Sequence, residues 1–399
     1  MKRINTKNLA LPIFNIFILF LGIQAFNFYF NINSFGGHEW HTAEWLIHYS
    51  HGFIRRGMFG TLVYNLPFNP DTSLIFLTYF LHSLYILYLS CILLIFIKNR
   101  QNNLSYLVLF SPAFIFFHIS NLEAIFRKEL LGLLALSLVA LSYSFKSKNI
   151  FFLFALFIYI VAIFSAEYNL YFLLPIIYIL FKKKDINKTS KSLALAFPSF
   201  LYFFFYLRHI NQTKEIPKLI CESLYKFNYY ESFCSGAIKW LNYDINQTLE
   251  LTIEYYKTSD YSVYFFYFLV AIAPFFFTNF FSKNIILLLF FTASYVPLFI
   301  ISIDWGRHIY MYISTLTILF FSESNKKHNL KSIYQKSLFY IFIFLNMPYY
   351  AGSYNGLLSF KNLSLKFSFL FDTNTFSYFL ENYVSGLQYL LKAISNYVS

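Results

Sequence analysis

The chain has 399 residues, of which 58% are hydrophobic and 12% charged, about half the charged share of a soluble globular domain. That balance excludes an ordinary soluble fold, and long continuous apolar runs exclude a closed β-barrel, whose strands alternate. The net charge of +13 reads as loop topology and not as a nucleic-acid footprint, because the basic residues sit between apolar blocks.

Residues 9–30 follow Lys2, Arg3 and Lys7. They exceed a signal-peptide core and lack a small-x-small cleavage site, so a retained first helix is expected. Further apolar blocks fall near 73–97, 104–118, 130–145, 149–166, 168–181, 192–208, 261–281, 284–302, 309–321 and 337–351, with 376–398 as one more. Most approach the ~20 residues that cross a bilayer core, although 104–118, 168–181 and 309–321 are short. The expected fold class is therefore all-α: a polytopic transmembrane bundle of about 11–12 helices with short external interfacial helices. One integral membrane domain spans 1–399, with a first external segment at 31–72 and a long external loop at 209–260.

With the N-terminus inside and spans alternating, 17 of the 31 Lys and Arg fall in inner segments, among them Lys98, Arg100, Lys146, Lys148, Lys182–Lys184, Lys326 and Lys327. Only Asp185 and Glu323 accompany them, which satisfies the positive-inside rule. Five segments then converge outside: 38–60, 121–129, Glu167, 208–260 and 304–308. Cys221 and Cys234 lie in the long one, either as a disulfide closing a loop worth roughly 3 kcal/mol or as two thiols.

The first external segment carries His38, His41, His48 and His51, four of the nine histidines. On a helix lying on the membrane, His41, Glu44 and His48 would share one face, with Trp40 and Trp45 at the water–lipid interface. No HExxH pattern occurs and nothing fixes a ligand set, so no metal is expected. Arg55-Arg56-Gly57 is either an interfacial anchor or a phosphate-binding turn. Positive charge at the external boundary runs against the topological bias and favours phosphate.

Glu123 and Arg127 stand at i,i+4, as a helical ion pair or as part of a site together with Lys128 and Glu129 at the head of an apolar helix. Glu167 sits in a tight hairpin where burial would raise its pKa, giving an acid or base, or else a hydrogen-bonded turn carboxylate. Asp304 is placed to cap the helix that follows, with Arg307 and His308 one turn on. No P-loop, Rossmann glycine pattern or Gly-x-Ser-x-Gly elbow occurs.

Taken together, Ala43-Glu44-Trp45-Leu46-Ile47-His48-Tyr49, Gly52-Phe53-Ile54-Arg55-Arg56-Gly57, Phe126-Arg127-Lys128-Glu129 and Asp304-Trp305-Gly306-Arg307 resemble bacterial O-antigen or capsule repeat-unit polymerases. The chain differs from that family's pattern of two long Arg-bearing external loops in having one. The resemblance implies a multi-pass protein of the inner membrane that joins undecaprenyl-diphosphate-linked oligosaccharides at the periplasmic face. It needs no cofactor, metal or nucleic acid, and its partners are the lipid-linked oligosaccharides, the bilayer and a chain-length regulator. On that basis Arg55, Arg56, Arg127, Lys128, Arg307 and His48 would bind substrate, and Glu44, Glu167, Asp304 and His308 would supply catalytic acid–base or orienting groups. Tyrosines and tryptophans of 208–260 would stack on sugar rings.

Two other readings stay open. A membrane glycosyltransferase using a polyprenyl-monophosphate sugar also places a carboxylate in the first external loop, where Glu39 and Glu44 lie. A lipid-linked oligosaccharide flippase would instead hold charges near the midplane and show internal repeats, and none is visible in the sequence.

Overall fold

A computed structural model of the chain describes residues 6–99, 103–143, 148–183, 185, 187–209, 215–258, 262–276, 278, 280–323 and 373–398. The expected span 337–351 lies outside the described residues, as do Lys2, Arg3, Arg100, Lys146, Lys184, Lys326, Lys327, Lys331 and Lys336. Among the described residues the fold is all-helical and no strand forms.

The chain enters through α1 (Thr6–Ser34), passes the single-turn α2 (Ala43–Leu46) and α3 (Met58–Tyr64), and runs into α4 (Pro70–Asn99). α4 starts three residues ahead of the expected 73. Pro70 occupies the first turn, where its missing N–H costs nothing, and the Asn69 side chain accepts the Thr72 amide at 2.8 Å. After α5 (Asn103–Leu109) and α6 (Phe117–Ser120) come α7 (Glu129–Ser142), α8 (Lys148–Ser165), α9 (Leu173–Lys182) and α10 (Lys188–His209).

α7 is the axis of the core. Every one of its 14 residues is buried, as expected of a helix apolar on all sides, and it packs against α4, α8, α9 and later α15. Gly132 lets the 3-10 turn Glu167–Phe172 approach α7 closely: a Cβ there would meet the Phe172 ring at 2.2 Å and Asn169 Oδ1 at 2.5 Å.

The expected external loop is itself folded, with α11 (Ile216–Lys226), α12 (Ile245–Thr258) and 3-10 turns at Glu231–Cys234 and Lys239–Asn242. Cys221 and Cys234 are joined by a disulfide with Cα atoms 5.9 Å apart, which fixes the alternative left open by the sequence. α13 (Ser262–Phe276), α14 (Phe280–Ile301) and α15 (Trp305–Ser322) follow, and α16 (Thr373–Val398) lies against α1 and α4.

Among the described residues three stretches are long and apolar enough to cross a membrane, Asn15–Ser34, Pro70–Lys98 and Lys188–Arg208. A fourth is added if the bent pair Tyr264–Phe276 and Phe280–Ile286 counts as one span. Two of the other expected spans are clearly shorter as helices, whereas 309–321 extends into the 18-residue α15. Block 104–118 breaks into α5, turns and α6, and 168–181 opens as a 3-10 turn at Glu167–Phe172 before the 10-residue α9. At about 1.5 Å per residue α9 covers roughly 15 Å, half of a hydrocarbon core. The 376–398 block forms α16, which is not among the spanning candidates because polar residues such as Asn382 and Lys392 interrupt it.

Candidate functional site

The site begins at the turn that joins α2 to α3. Asn33 Nδ2 donates to Thr78 Oγ1 at 2.7 Å and Thr42 Oγ1 donates to Asn33 Oδ1 at 2.7 Å, pinning the start of the first segment to α1 and α4. The Trp45 indole donates to the Phe126 carbonyl at 2.7 Å. Gly60 presses on the Ile47 backbone so closely that a Cβ would stand 1.9 Å from its carbonyl oxygen. Arg56 adopts a left-handed φ of 73°, unusual for a residue with a side chain. Lys128 Nζ donates to the Arg56 carbonyl at 2.7 Å and helps hold that conformation.

Around this turn an ionic cluster assembles from separate parts of the chain. Glu44, fully buried, has Arg127 Nε at 2.8 Å from Oε2, Arg56 Nη1 at 3.8 Å from Oε1, and the Tyr168 hydroxyl donating to Oε1 at 3.0 Å. Arg56 also grips Glu167, donating from Nη2 to Oε1 at 2.8 Å and from Nε to both oxygens at 3.2 and 3.1 Å, while Arg55 Nη1 stands 3.9 Å from the same carboxylate. Arg307 lies between Glu129 (Nε to Oε1, 3.4 Å) and Asp304 (Nη2 to Oδ2, 3.4 Å). The Tyr168 ring sits between two guanidiniums, with Arg56 at 5.6 Å and Arg307 at 5.5 Å from its centroid. Lys128 lies 5.6 Å over the Trp45 ring.

Five cationic groups therefore meet four carboxylates; Glu44, Arg127, Lys128 and Glu129 are buried and the other five are partly exposed, an arrangement that is costly wherever charge is withdrawn from water. Burial alone would raise the Glu44 pKa, but Arg127, Arg56, Lys128 and Arg307 outweigh it and hold the carboxyl at about 2. Desolvation pulls the Lys128 ammonium down to about 7, only partly offset by Glu44. The bonding is incomplete. Neither oxygen of Glu129 accepts a hydrogen bond among the described residues, and Arg127 Nε, close as it is to Glu44, is not aimed to form one.

Several expectations change. The first segment is not a helix lying on the membrane. Between His38 and Gly57 only Ala43–Leu46 is helical, Ile47 is extended, and His41, Glu44 and His48 do not share a face. Trp45 is wholly buried instead of interfacial. Glu123 and Arg127 do not pair, because the backbone between them is a 3-10 turn at Leu122–Ala124, without i,i+4 geometry. Glu123 meets His41 at 3.5 Å and Arg127 turns to Glu44. The Glu167 carboxyl is not raised: burial pushes it up, yet Arg56 and Arg55 overcome this and set it at about 2. Asp304 stands at the cap position of α15, but its side chain makes no capping bond and faces Arg307.

His48 lies apart from the cluster's ion pairs. Its ring nitrogens face Ser50 Oγ at 2.7 Å and Ser223 Oγ at 3.1 Å, so it ties the first segment to α11. His308 is buried edge-on to Phe299, with no hydrogen-bond partner on either nitrogen among the described residues. The sequence places Glu129 beside Arg127 and Lys128 without giving it a role of its own, and it does not single out Tyr168. Glu129 carries a readable signal, an acid opening an apolar helix, whereas Tyr168 is one of 35 tyrosines. Among the described residues no three His, Cys, Asp or Glu side chains form a metal-binding group. An apolar cleft lined by Leu174, Pro175, Tyr178, Leu288, Phe291 and Leu319 shares no residue with the cluster, so chemistry and not cavity size marks this site. In comparisons with known proteins, no family, no curated protein and no solved structure matched the chain.

Proposed function

We propose that the protein is a bacterial surface-polysaccharide polymerase of the inner membrane, joining polyprenyl-diphosphate-linked oligosaccharide repeat units at the periplasmic face. The observation that carries this reading is the convergence of Arg55, Arg56, Arg127, Lys128 and Arg307 among the carboxylates Glu44, Glu129, Glu167 and Asp304. A cationic cluster interlaced with carboxylates suits a reaction that expels a lipid diphosphate and deprotonates a sugar hydroxyl. The disulfide in the lobe after α10 agrees with an oxidising compartment.

In this reading the acceptor hydroxyl attacks the anomeric carbon of the growing chain. The bond from that carbon to the diphosphate oxygen breaks, and the lipid diphosphate leaves with the electron pair toward the arginines. The hydroxyl proton goes to a carboxylate. Glu44 and Glu167 are held by arginines at 2.8 Å, whereas Asp304 is 38% exposed and stands 3.4 Å from Arg307, so we assign the base to Asp304. Glu44 orients Arg127 and Tyr168.

A single-sugar transferase using a polyprenyl-monophosphate donor is the second reading, favoured by the fully buried Glu44 in the first segment. The purified protein, incubated with lipid-linked oligosaccharides, separates the two by product mass. Increments of a whole repeat unit support the polymerase and an increment of one sugar supports the transferase. Unaltered substrate with every polyprenyl donor opposes both.

A further inference from the structure

Beyond the ionic cluster, the structure brings three aromatic rings together at the outer edge of the first segment. The Trp40 and Trp240 centroids are 5.8 Å apart at 58°, and Trp240 meets Tyr243 at 5.2 Å, edge to face. All three are partly exposed. They come from segments 200 residues apart in sequence that are joined by specific backbone contacts: the Ala237 amide donates to the Glu39 carbonyl at 2.9 Å, and a Cβ on Gly236 would lie 2.4 Å from that oxygen. The Cys221–Cys234 bridge staples the lobe that carries Trp240.

The surroundings are polar. The Trp40 indole donates to Glu39 Oε1 at 3.0 Å, Glu39 Oε2 accepts from the Ser235 hydroxyl, and Lys239 and Asn242 are exposed beside the rings. A membrane-anchoring tryptophan presents its indole N–H to headgroups, whereas that of Trp40 is taken by a carboxylate of its own segment. Apolar ring faces bordered by carboxylate, amide and ammonium groups match a pyranose, which offers a C–H face for stacking and hydroxyls at its rim. Arg55 links this patch to the cluster, donating from Nη2 to the Trp240 carbonyl at 3.0 Å while Nη1 stands 3.9 Å from Glu167.

We infer that Trp40, Trp240 and Tyr243 form a saccharide-binding platform that holds a short oligosaccharide with its linked end toward the arginine cluster. This rests on the glycosyl-transfer reading for its position in the reaction, but the binding itself can be measured without turnover. The probe is the lipid-free oligosaccharide released by mild acid from the organism's own polyprenyl-linked saccharides, titrated against the full-length protein in nanodiscs, with inorganic pyrophosphate as a second ligand.

Trp40→Ala and Trp240→Ala should each weaken oligosaccharide binding about five- to tenfold and leave pyrophosphate binding unchanged, while Trp240→Phe retains most of the saccharide affinity. Unchanged saccharide affinity in both alanine variants overturns the platform, as does an absence of saccharide binding by the wild type. Equal loss in Trp240→Phe and Trp240→Ala, with pyrophosphate binding also lost, overturns it in favour of a structural role. If instead gene deletion leaves the surface polysaccharide intact, the polymerase reading fails while the titration still decides the platform.

Discussion

Arg127 Nε stands 2.8 Å from Oε2 of Glu44, and both side chains are withdrawn from water. The pair joins the turn before α7 to α2, two pieces of chain more than 80 residues apart, and the rest of the cluster is arranged around it. Removing one partner leaves the other as an uncompensated buried charge, which costs about 3–5 kcal/mol. Glu44→Ala and Arg127→Ala should each lower the thermal midpoint in detergent markedly. The double variant should lose less than the sum of the two, a non-additivity that a double-mutant cycle measures.

Tyr168 contributes in two ways, through its hydroxyl on Glu44 and through its ring between Arg56 and Arg307. Tyr168→Phe removes only the hydrogen bond to the carboxylate, worth about 1.5–3 kcal/mol. Tyr168→Ala also removes both cation–ring contacts and should be the more damaging of the two, read as the ratio of transfer rates at equal expression.

Gly60 predicts a purely steric effect. Gly60→Ala drives a methyl into the Ile47 carbonyl, where no flexible side chain can yield, at a cost of about 1–3 kcal/mol. Gly52→Ala provides the comparison, since it meets only Ile216 at 3.5 Å but sits at a φ of 118°; it strains the backbone without a clash. Folded yield on size exclusion should fall for Gly60→Ala because the loop carrying Arg55 and Arg56 can no longer close.

Lys128 gives the site a pH dependence. Its pKa falls from 10.5 to about 7 on folding, so its charge is present below pH 7 and lost above it, and pyrophosphate binding should weaken as the pH rises from 6 to 8. For stability the sign is opposite. Between about pH 7 and 10.5 the unfolded chain binds the extra proton, so this group adds stability as pH rises through that window. Glu44, held near 2 against an ordinary 4.5, adds stability above its ordinary value that is lost as the pH falls toward 2. Lys128→Arg keeps its charge throughout and should flatten the binding profile between pH 6 and 8.

Much of the cluster was legible in the sequence, because charges are so sparse in an apolar chain that each one is conspicuous. Arg55, Arg56, Arg127, Lys128, Arg307, Glu44, Glu167 and Asp304 stand out for that reason, and the structure joins all eight through Tyr168, which lies between Arg56 and Arg307. What the sequence could not give was the pairing. Spacing suggested a local Glu123–Arg127 bridge, but a 3-10 turn cancelled the helical geometry and tertiary packing offered Arg127 a buried partner instead. Hydropathy also overstated the length of the helices near 104–118 and 168–181, since apolar composition does not reveal where a turn such as Ser111–Phe116 or Glu167–Phe172 interrupts them. Burial was misjudged at Trp45 because an amphipathic ring suits a bilayer interface as well as a core with one hydrogen-bond acceptor.

The central claim, that this cluster polymerises lipid-linked repeat units, is tested most directly by the banding of surface polysaccharide on a gel after deletion of the gene and restoration with wild type, Arg127→Ala or Asp304→Asn. The account predicts collapse of the ladder to a single-repeat band, recovery with wild type, and no recovery with either variant although both proteins reach the membrane. An unchanged ladder in the deletion strain, or full recovery with both variants, would contradict it.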